Sequence, residues 1–364
     1  MRILFWVPYP TEGASNRYRV EQYLPFLRGK EIKYSLHPFW SSAAFNVLYR
    51  KDNRLKKIYF FISGTICRII DILQIFRFDL VFIHREAYPL GGAFFERILS
   101  LSGKPFVFDF DDAIFLKASS PPNNFIERLK DPGKVAKIVK MSSHVIAGNK
   151  YLADFAVRHN RRVTVIPTPI DTEKSNFNGK RRAKTGVVIG WIGSITTSCF
   201  LESLRNVFAE LSARFSGIRF KIVGGIMHGG GLFEADIKPW SLKDEAFDLN
   251  SFDIGVMPMP DNEWTRGKCG FKTILYMSSG IPSVSSPVGV NTEIINDGIN
   301  GFLAASEKEW LEKISLLIEN RELYAKISMA GRQTVEARYS LKVNTPLFLG
   351  IIDRAYKEVR RISE

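Results

Sequence analysis

Residues 266–284 read RGKCGFKTILYMSSGIPSV. The stretch begins with cations and glycines, continues with the apolar spacing of a short helix that stops at Gly280, and resumes after Pro282 as a β-branched strand. A cationic loop that opens a helix favours an anion, because free backbone N–H groups and the helix dipole both point at the ligand. On this stretch alone, an ordinary loop–helix–strand connection with surface lysines is the alternative.

Length and charge limit the classes to which the chain can belong. It has 364 residues, which suggests two domains, and 45% of them are hydrophobic, which favours a large core over disorder. The net charge of +14 attracts nucleic acid, anionic membrane or phosphorylated small molecules. No zinc-finger, RNP or homeodomain pattern is present, so we do not expect a nucleic acid partner. The alternative is that the charge serves only solubility.

Cysteines and hydrophobic runs predict the compartment. The three cysteines are far apart, show no metal-ligand spacing and are odd in number, so a reducing compartment fits best. The N-terminal apolar run is too short for a signal peptide, and no run of 18 or more uncharged apolar residues predicts a spanning helix. We therefore expect a cytoplasmic protein.

Strand and helix patterns alternate along the whole chain, which is typical of an α/β fold with parallel sheets. The proline-rich connector Pro167–Asp171 and the basic segment Lys174–Lys184 separate two such series, and Lys117–Gly133 reads as a surface loop. The main predicted strands are residues 1–7, 32–40, 79–83, 104–110, 143–147, 163–166, 187–192, 219–223 and 252–256.

Polar residues follow two strands of the first half. Arg17 and Arg19 lie in and after a glycine-bearing loop that follows the first strand, where α/β folds place ligands, so they are candidates for an anionic acceptor. Helix-surface arginines are the alternative. Asp109, Asp111 and Asp112 end the strand that begins near Lys104, and clustered acids at a strand end favour an active site, with helix capping as the alternative. This cluster also keeps a metal site open.

Residues Arg50–Arg77 place cations on both sides of an apolar helix that is interrupted by Arg68 and Asp71. This combination suits a helix that lies in a membrane interface. Taken alone, however, the segment favours a core-facing helix of the α/β domain, and both can hold if one face packs while the basic end meets lipid.

The second half offers residues suited to phosphate. Gly193 and Ser194 follow a strand, and their backbone N–H groups can approach a phosphate, although the pattern is not GxGxxG. His228, in a loop with many glycines, is more often incidental than catalytic. Trp240 suits either a base pocket or the core.

Several motifs together carry a resemblance to a known family. The chain resembles the family-4-type glycosyltransferases of the GT-B fold over nearly its whole length, most strongly in the second half. The motifs that carry it are Ile166–Asp171 (IPTPID), Gly190–Ser194 (GWIGS), Phe252–Val256 (FDIGV), Phe271–Pro282 (FKTILYMSSGIP) and Glu293–Gly301 (EIINDGING).

The resemblance implies an architecture. It implies two Rossmann-like domains whose parallel sheets face an interdomain cleft. Residues 1–168 would bind the acceptor and residues 169–345 the nucleotide sugar, while residues 346–364 would form a helix that crosses back to the first domain. Asn291 and Glu293 would be further donor-binding residues.

Two positions depart from the family pattern. The family commonly carries two glutamates that contact the ribose and the donor sugar, and Gly267 and Leu275 stand at those positions here. A subset of similar sequences shares the lysine–cysteine–x–phenylalanine–lysine pattern of residues 268–272, which indicates divergence rather than decay. Asp111 stands where many relatives have a histidine near the donor sugar.

The chemistry follows from charge development. Breaking a sugar–phosphate bond builds positive charge on the ring and negative charge on the diphosphate, so prearranged donors aimed at the diphosphate accelerate the reaction. We expect Arg266, Lys268, Lys272 and the amides of Gly193 and Ser194 to bind the diphosphate. Asp111 or Asp112 would act catalytically, by orienting the acceptor hydroxyl or stabilising the ring. We expect no cofactor and no metal.

The sequence thus predicts a retaining glycosyltransferase that moves a sugar from a nucleotide sugar to a lipid-linked or other glycan acceptor. The pathway would be that of a surface polysaccharide, lipopolysaccharide or other glycoconjugate, and the enzyme would act at the inner face of the cytoplasmic membrane, where an anionic surface could bind it. Two alternatives stay open: a nucleotide-sugar epimerase of the same fold, and a non-catalytic sugar-nucleotide-binding scaffold.

Overall fold

The computed structural model describes residues 1–48, 53–116, 131, 133–174, 186–227 and 229–363. The predicted surface loop 117–133 and the basic segment 174–184 lie largely outside these residues. Arg50, Lys51 and His228 lie outside them entirely.

The chain forms two compact units. The first contains Met1–Pro169 and Leu341–Glu364, and the second contains Ile170–Ser340. The sequence places the boundaries after residues 168 and 345, whereas the chain leaves the first unit after Pro169 and returns to it at Leu341.

Within the described residues, the first unit contains a six-stranded parallel sheet in the order β2-β1-β3-β4-β5-β6. The order reverses between β1 and β3, which is where open α/β sheets bind ligands. Its strands are β1 Arg2–Val7, β2 Lys33–Pro38, β3 Leu80–His84, β4 Phe106–Phe110, β5 His144–Ala147 and β6 Val163–Val165.

Apart from the exposed Arg2 and the buried polar residues His84 and Asp109, the strands β1, β3 and β4 are buried apolar runs, as expected of a parallel sheet with helices on both faces. The last helix, α16 (Leu341–Ser363), packs in the first unit: its Phe348 ring stacks on Tyr23 with centroids 4.1 Å apart. The described helices of the first unit are α1 Ala14–Arg19, α2 Leu24–Gly29, α3 Ser42–Leu48, α4 Arg54–Leu73, α5 Phe94–Leu101, α6 Lys134–Met141, α7 Lys150–Ala156 and α16 Leu341–Ser363, with 3-10 turns at Glu21–Tyr23 and Ile75–Arg77.

The second unit repeats the architecture. Its described residues form a six-stranded parallel sheet in the order β9-β8-β7-β10-β11-β12, the doubly wound order of dinucleotide-binding folds. The order reverses between β7 and β10. The strands are β7 Val188–Ile192, β8 Arg219–Val223, β9 Ala235–Lys238, β10 Ile254–Met257, β11 Ser283–Ser285 and β12 Phe302–Leu303.

Two helices of the second unit bear on the site: α12 (Phe271–Ser278) lies beside β10 and β11, and α15 (Arg321–Thr334) packs on α12. The described helices are α8 Ile195–Ser198, α9 Arg205–Arg214, α10 Glu245–Asn250, α11 Glu263–Arg266, α12 Phe271–Ser278, α13 Asn291–Ile294, α14 Glu307–Glu319 and α15 Arg321–Thr334, with a 3-10 segment Cys199–Leu204 and a π-helical turn Val335–Tyr339.

Glycine at position 255 sets the approach of α12 to the sheet. A Cβ atom added there would lie 2.4 Å from the Tyr276 ring. The Tyr276 hydroxyl in turn accepts a hydrogen bond from the backbone N–H of Ile192 at 3.2 Å. The ring therefore ties α12 to the end of β7. No helix among the described residues is long and apolar enough to cross a membrane.

His144 makes the first unit sensitive to acid. Burial, together with Arg354 and Arg162, lowers the pKa of His144 to about 4. The folded state therefore resists protonation of His144, whereas the unfolded chain binds the proton near the ordinary pKa of 6.5. The contribution of His144 to the stability of the folded state is full above pH 6.5 and is lost as the pH falls toward 4. At pH 5 we expect this residue to lower the free energy of unfolding by about 2 kcal/mol relative to neutral pH.

Urea denaturation of the protein and of His144→Gln, at neutral pH and at pH 5, measures this loss. The variant should lose less stability on acidification. His159→Gln is the matched control, because His159 is exposed. Equal pH dependence of the protein and the His144 variant would contradict the assignment.

Candidate functional site

A buried carboxylate organises the end of β4. Asp109 is 1% exposed and forms an ion pair with Arg19 of α1. The same carboxylate faces His84, the last residue of β3, whose Nδ1 lies 2.7 Å from Asp109 Oδ2. His84 and Asp109 are register partners in the sheet. Because burial raises the pKa of Asp109 but Arg19 and His84 lower it more, the pKa ends below its ordinary value.

Ser15 connects this carboxylate to Asp111. The hydroxyl of Ser15, in the first turn of α1, lies 2.6 Å from His84 Nε2 and 2.7 Å from Asp111 Oδ2. The chain Asp109–His84–Ser15–Asp111 therefore crosses the point where the strand order reverses, between β1 and β3. We call these residues, with Arg19, Arg85 and Asp112, the Asp109 cluster.

Asp111 is ionised by the same balance of effects as Asp109. Burial raises the pKa of Asp111, but Arg85, His84, Arg19 and the Ser15 hydroxyl lower it more, so the pKa ends below its ordinary value. The ionised carboxylate accepts a hydrogen bond from the Ser15 hydroxyl at Oδ2.

Arg85 closes the cluster on the other side. Its Nη2 donates to Asp112 Oδ2 at 2.7 Å, and its Nε lies 3.7 Å from Asp111 Oδ1. Burial lowers the pKa of Arg85, but Asp112 and Asp111 raise it more, so the guanidinium stays charged. The backbone of Arg85 has a φ of +64°, a left-handed conformation that a non-glycine residue adopts at some cost. Such strain is typical of sites where side-chain direction matters.

The predicted acceptor residues differ from each other in the structure. Arg17 is partly exposed, and its Nη1 lies 3.4 Å from the Thr11 carbonyl oxygen. Arg19 is 2% exposed, and it also donates to the Ile166 carbonyl at 2.7 Å. Arg19 is neither a helix-surface arginine nor placed to meet an acceptor. We therefore correct its role: it compensates the buried charge of Asp109.

The second unit places a lysine over a glycine. Gly193 directly follows β7, and a Cβ atom added there would lie 2.6 Å from Lys272 Cε and 2.7 Å from the Trp191 ring. Lys272 is the second residue of α12, and its Nζ lies 5.4 Å from the centroid of the Trp191 ring. The lysine stem can cross the backbone here only because residue 193 has no side chain. We call Gly193, Ser194, Lys268 and Lys272 the lysine–glycine site.

Gly270 fixes the start of α12. It has a φ of +62°, and a Cβ atom there would lie 2.4 Å from Ile294 Cδ1. Glycine is thus required by conformation and by space. Lys268, two residues earlier, places its Nζ 3.9 Å from the Trp264 ring centroid, a cation–π contact. Lys272 and the backbone N–H groups of the first turn of α12 offer positive charge and donors beside Gly193, which suits an anion, and Lys268 adds a cation to the loop that opens the helix.

Other predicted donor residues lie elsewhere in the second unit. Arg266 is half-exposed and forms a two-bond ion pair with Asp261, at 2.7 and 3.0 Å. Asn291 is fully buried, and its amide nitrogen donates to the Ser286 carbonyl at 3.1 Å, whereas Glu293 is exposed. Ser194 is exposed, with its hydroxyl 2.7 Å from that of Thr196.

The structure also shows the surroundings of Gly267 and Leu275, which stand where the family commonly has glutamates. Gly267 ends α11, and Leu275 is 7% exposed on the packed side of α12. Among the described residues, no group of three His, Cys, Asp or Glu side chains is arranged to hold a metal ion. The expectation that no metal is needed stays a prediction.

Comparison with known proteins bears on these two sites. Residues 186–320 match the family model described as Glycosyl transferases group 1. This range covers the lysine–glycine site and most of the second unit. Residues 186–320 therefore resemble a group 1 glycosyltransferase domain. The match confirms the glycosyltransferase resemblance and the enzyme class predicted from the sequence. No curated protein matches the chain.

Solved structures resemble the chain over its whole length. Sucrose-phosphate synthase of Thermosynechococcus elongatus has a TM-score of 0.71 at 11% identity, with 98% of this chain and 100% of that chain covered. A glycosyltransferase of Rickettsia africae has 0.67 at 16%, with 98% of each chain covered. HepE of Anabaena, in complex with UDP and glucose, has 0.66 at 13%, with 97% of this chain and 100% of that chain covered. These likenesses confirm the predicted α/β GT-B fold.

Sequence reasoning found the acids of the Asp109 cluster but missed Ser15, His84 and Arg85. A signal was available for the last two, since they directly follow the predicted strand 79–83, just as Asp111 and Asp112 follow the next predicted strand along the chain. Ser15 lies in α1, the helix after β1, and His84 ends the neighbouring strand β3. Because the two residues are 69 positions apart in sequence, no local pattern predicts their contact.

The buried ion pair gives a stability prediction. Replacing Asp109 with Asn leaves the Arg19 guanidinium buried without its counter-charge, so the unfolding free energy of the first unit should fall by about 3–5 kcal/mol. Urea denaturation followed by circular dichroism measures the change. Asp154→Asn is the control, because Asp154 is 59% exposed and its partner Lys150 is 3.7 Å away; it should change stability by less than about 0.5 kcal/mol. Equal effects of both variants would contradict this account.

Proposed function

We propose that this chain transfers a sugar from a nucleotide sugar to a glycan acceptor and binds the donor diphosphate at the lysine–glycine site. The observation that carries the proposal is the crossing of Lys272 over Gly193 at the start of α12, inside the group 1 domain. With glycine and leucine at the positions of the family's glutamates, the groups of this loop that can bind an anion are the lysines, Arg266 and the helix amides. HepE of Anabaena has been crystallised with UDP-glucose and with UDP and glucose, which supports a nucleotide-sugar donor.

The proposed reaction breaks the bond between the anomeric carbon and the diphosphate. Negative charge grows on the leaving phosphate, where Lys268, Lys272 and the amides of Gly193 and Ser194 stabilise it more than in the ground state. Arg266 would join them after exchanging Asp261 for phosphate. We propose that configuration is retained and that the leaving phosphate assists deprotonation of the acceptor hydroxyl.

Asp111 and Asp112 carry the proposed catalytic role of the first unit. A carboxylate held ionised by Arg85, with Ser15 donating to it, can orient an acceptor hydroxyl or stabilise positive charge on the sugar ring. We propose a lipid-linked or other glycan acceptor, in surface polysaccharide, lipopolysaccharide or glycoconjugate synthesis, with the enzyme at the inner face of the cytoplasmic membrane. The net charge of +14 supports an anionic surface or acceptor.

Lys272→Ala tests the donor site. A thermal-shift panel of nucleoside diphosphates and nucleotide sugars first identifies the donor, since a ligand that binds the folded state raises its apparent stability. Calorimetry should then show at least about tenfold weaker binding by the variant, and its transfer rate should fall about 100-fold, because one charge-stabilising donor is lost. Lys326→Ala, an exposed lysine of the same unit, is the control and should match the parent.

Normal transfer by Lys272→Ala would contradict the phosphate assignment. Donor epimerisation in the absence of acceptor would favour an epimerase. Nucleotide-sugar binding without turnover of any donor and acceptor pair would favour a scaffold instead.

Ser15→Ala tests the link between His84 and Asp111. Loss of the hydroxyl removes the donor that holds the Asp111 carboxylate, so the transfer rate should fall about 10- to 100-fold while donor affinity stays unchanged. Steady-state kinetics with the identified donor, with binding measured in parallel, separates the two effects. Ser42→Ala, an exposed serine of the same unit, is the control. A Ser15 variant with full activity would remove the cluster from the mechanism.

A further inference from the structure

Helix α4 presents its apolar side chains outward. Eight large apolar residues of this helix are between 45% and 82% exposed, with Leu55 and Leu73 the most exposed. Their spacing of three and four residues places them on one stripe along the helix. Nothing in the part of the chain that the structure describes covers this stripe. We call it the α4 face; it consists of Leu55, Ile58, Tyr59, Ile62, Ile66, Ile69, Ile70 and Leu73.

The opposite side of the same helix is polar and buried. Arg68 is 1% exposed and donates to the Ala87 and His37 carbonyls at 2.8 and 3.1 Å and to Asp71 at 3.0 Å. Asp71 also accepts from Trp6 Nε1 at 2.9 Å. The usual pattern of a globular helix is therefore reversed.

These inner contacts fix the rotation of α4. Gly64 lies between the polar contacts and the helix start, and a Cβ atom there would meet the Phe39 carbonyl oxygen at 2.6 Å. Turning the helix to bury the α4 face would expose Trp6 and strip Arg68 of its partners. The outward direction of the apolar stripe is thus a property of the folded first unit.

Cations border the α4 face. At about 100° per residue, Arg54 and Lys56 lie about 100° to either side of Leu55, one on each flank of the stripe. Both are exposed. Arg77, also exposed, follows the far end of the helix. Long basic side chains on the flanks of an apolar stripe can reach lipid phosphates while their stems stay beside the acyl chains.

We propose that the α4 face lies in the interfacial region of an anionic bilayer, with the helix axis parallel to the membrane plane. The aliphatic stripe enters the boundary between headgroups and acyl chains, and Arg54, Lys56 and Arg77 contact the anionic headgroups. A protein partner is less well matched, because seven of the eight residues of the α4 face are isoleucine or leucine, whereas protein interfaces rely on aromatic anchors. This proposal rests on the membrane location in the proposed function and names the surface that would contact the membrane. Membrane binding by the α4 face nevertheless requires neither the sugar donor nor the acceptor.

Co-sedimentation of the full chain with vesicles tests the surface. We expect binding to vesicles of phosphatidylglycerol mixed with phosphatidylcholine, weaker binding to phosphatidylcholine alone, and weakening by salt. Ile62→Gln/Leu73→Gln should lower the partition coefficient at least about tenfold without changing net charge. Leu101→Gln/Val157→Gln is the matched control, because both residues are exposed apolar side chains of the first unit outside the α4 face.

A second pair of double variants tests the contribution of the flanking cations to vesicle binding. Arg54→Gln/Lys56→Gln should reduce binding to anionic vesicles several-fold and weaken its salt dependence, because only Arg77 of the three cations is left. Lys308→Gln/Lys326→Gln removes the same charge from exposed sites in the second unit and should bind like the parent. Circular dichroism confirms that each variant is folded.

Three results would overturn the proposal: no binding to anionic vesicles, binding that both pairs of α4 variants leave intact, or a dimer in light scattering that Ile62→Gln/Leu73→Gln converts to a monomer. The last would assign the α4 face to a second copy of the chain. Loss of vesicle binding with normal sugar transfer to a soluble acceptor would support the α4 face and leave the proposed function standing. Vesicle binding without any transfer would contradict the proposed function alone.

Discussion

The structure of the first unit depends on compensating one buried charge. Asp109 is the fourth of the five residues of a fully buried strand, where an isolated carboxylate would be too costly to keep ionised. Its partners come from distant parts of the chain, Arg19 from α1 and His84 from β3. Meeting both requires α1 to lie against the strand ends. Once α1 lies there, Ser15 reaches His84 and Asp111, so the chemistry of the cluster is a consequence of how the buried charge is neutralised.

The second unit meets a different constraint, which is space rather than charge. A parallel sheet with a helix close to its strand ends needs positions without side chains, and Gly193, Gly255 and Gly270 supply them. The Tyr276 ring lies against Gly255, and the Lys272 stem lies against Gly193. The same close packing that holds α12 on the sheet brings a lysine to the end of β7. The two units therefore build their candidate sites at equivalent places, after the strands beside the reversal point, by unrelated means.

Sequence reasoning could predict what local patterns encode. Buried strands are continuous apolar runs, so β1, β3, β4, β8 and β10 fall close to their predicted positions, and the acids after β4 stood out because charge follows an apolar run. The direction in which a side chain points, and the residues that it contacts, are not encoded in local sequence patterns. The pattern of Arg17 and Arg19 cannot tell which arginine points inward, and Asn291 gives no sign that it is fully buried. The links from Ser15 to His84 and from Gly193 to Lys272 exist only after the strands pair, which sequence spacing cannot show.

Helix α4 shows the same limit most clearly. An amphipathic pattern identifies an apolar and a polar face, but it does not show which of the two faces the core. An apolar stripe would normally be assigned to the side of the helix that faces the core. Here Arg68 and Asp71 occupy the core-facing side, and hydrogen bonds with Trp6 and with backbone carbonyls must offset the cost of their desolvation. Stability alone would favour an apolar residue at such a position. A buried Arg68 with isoleucines outside makes sense when the outer face has its own apolar environment, and the polar contacts then act to fix which face is presented.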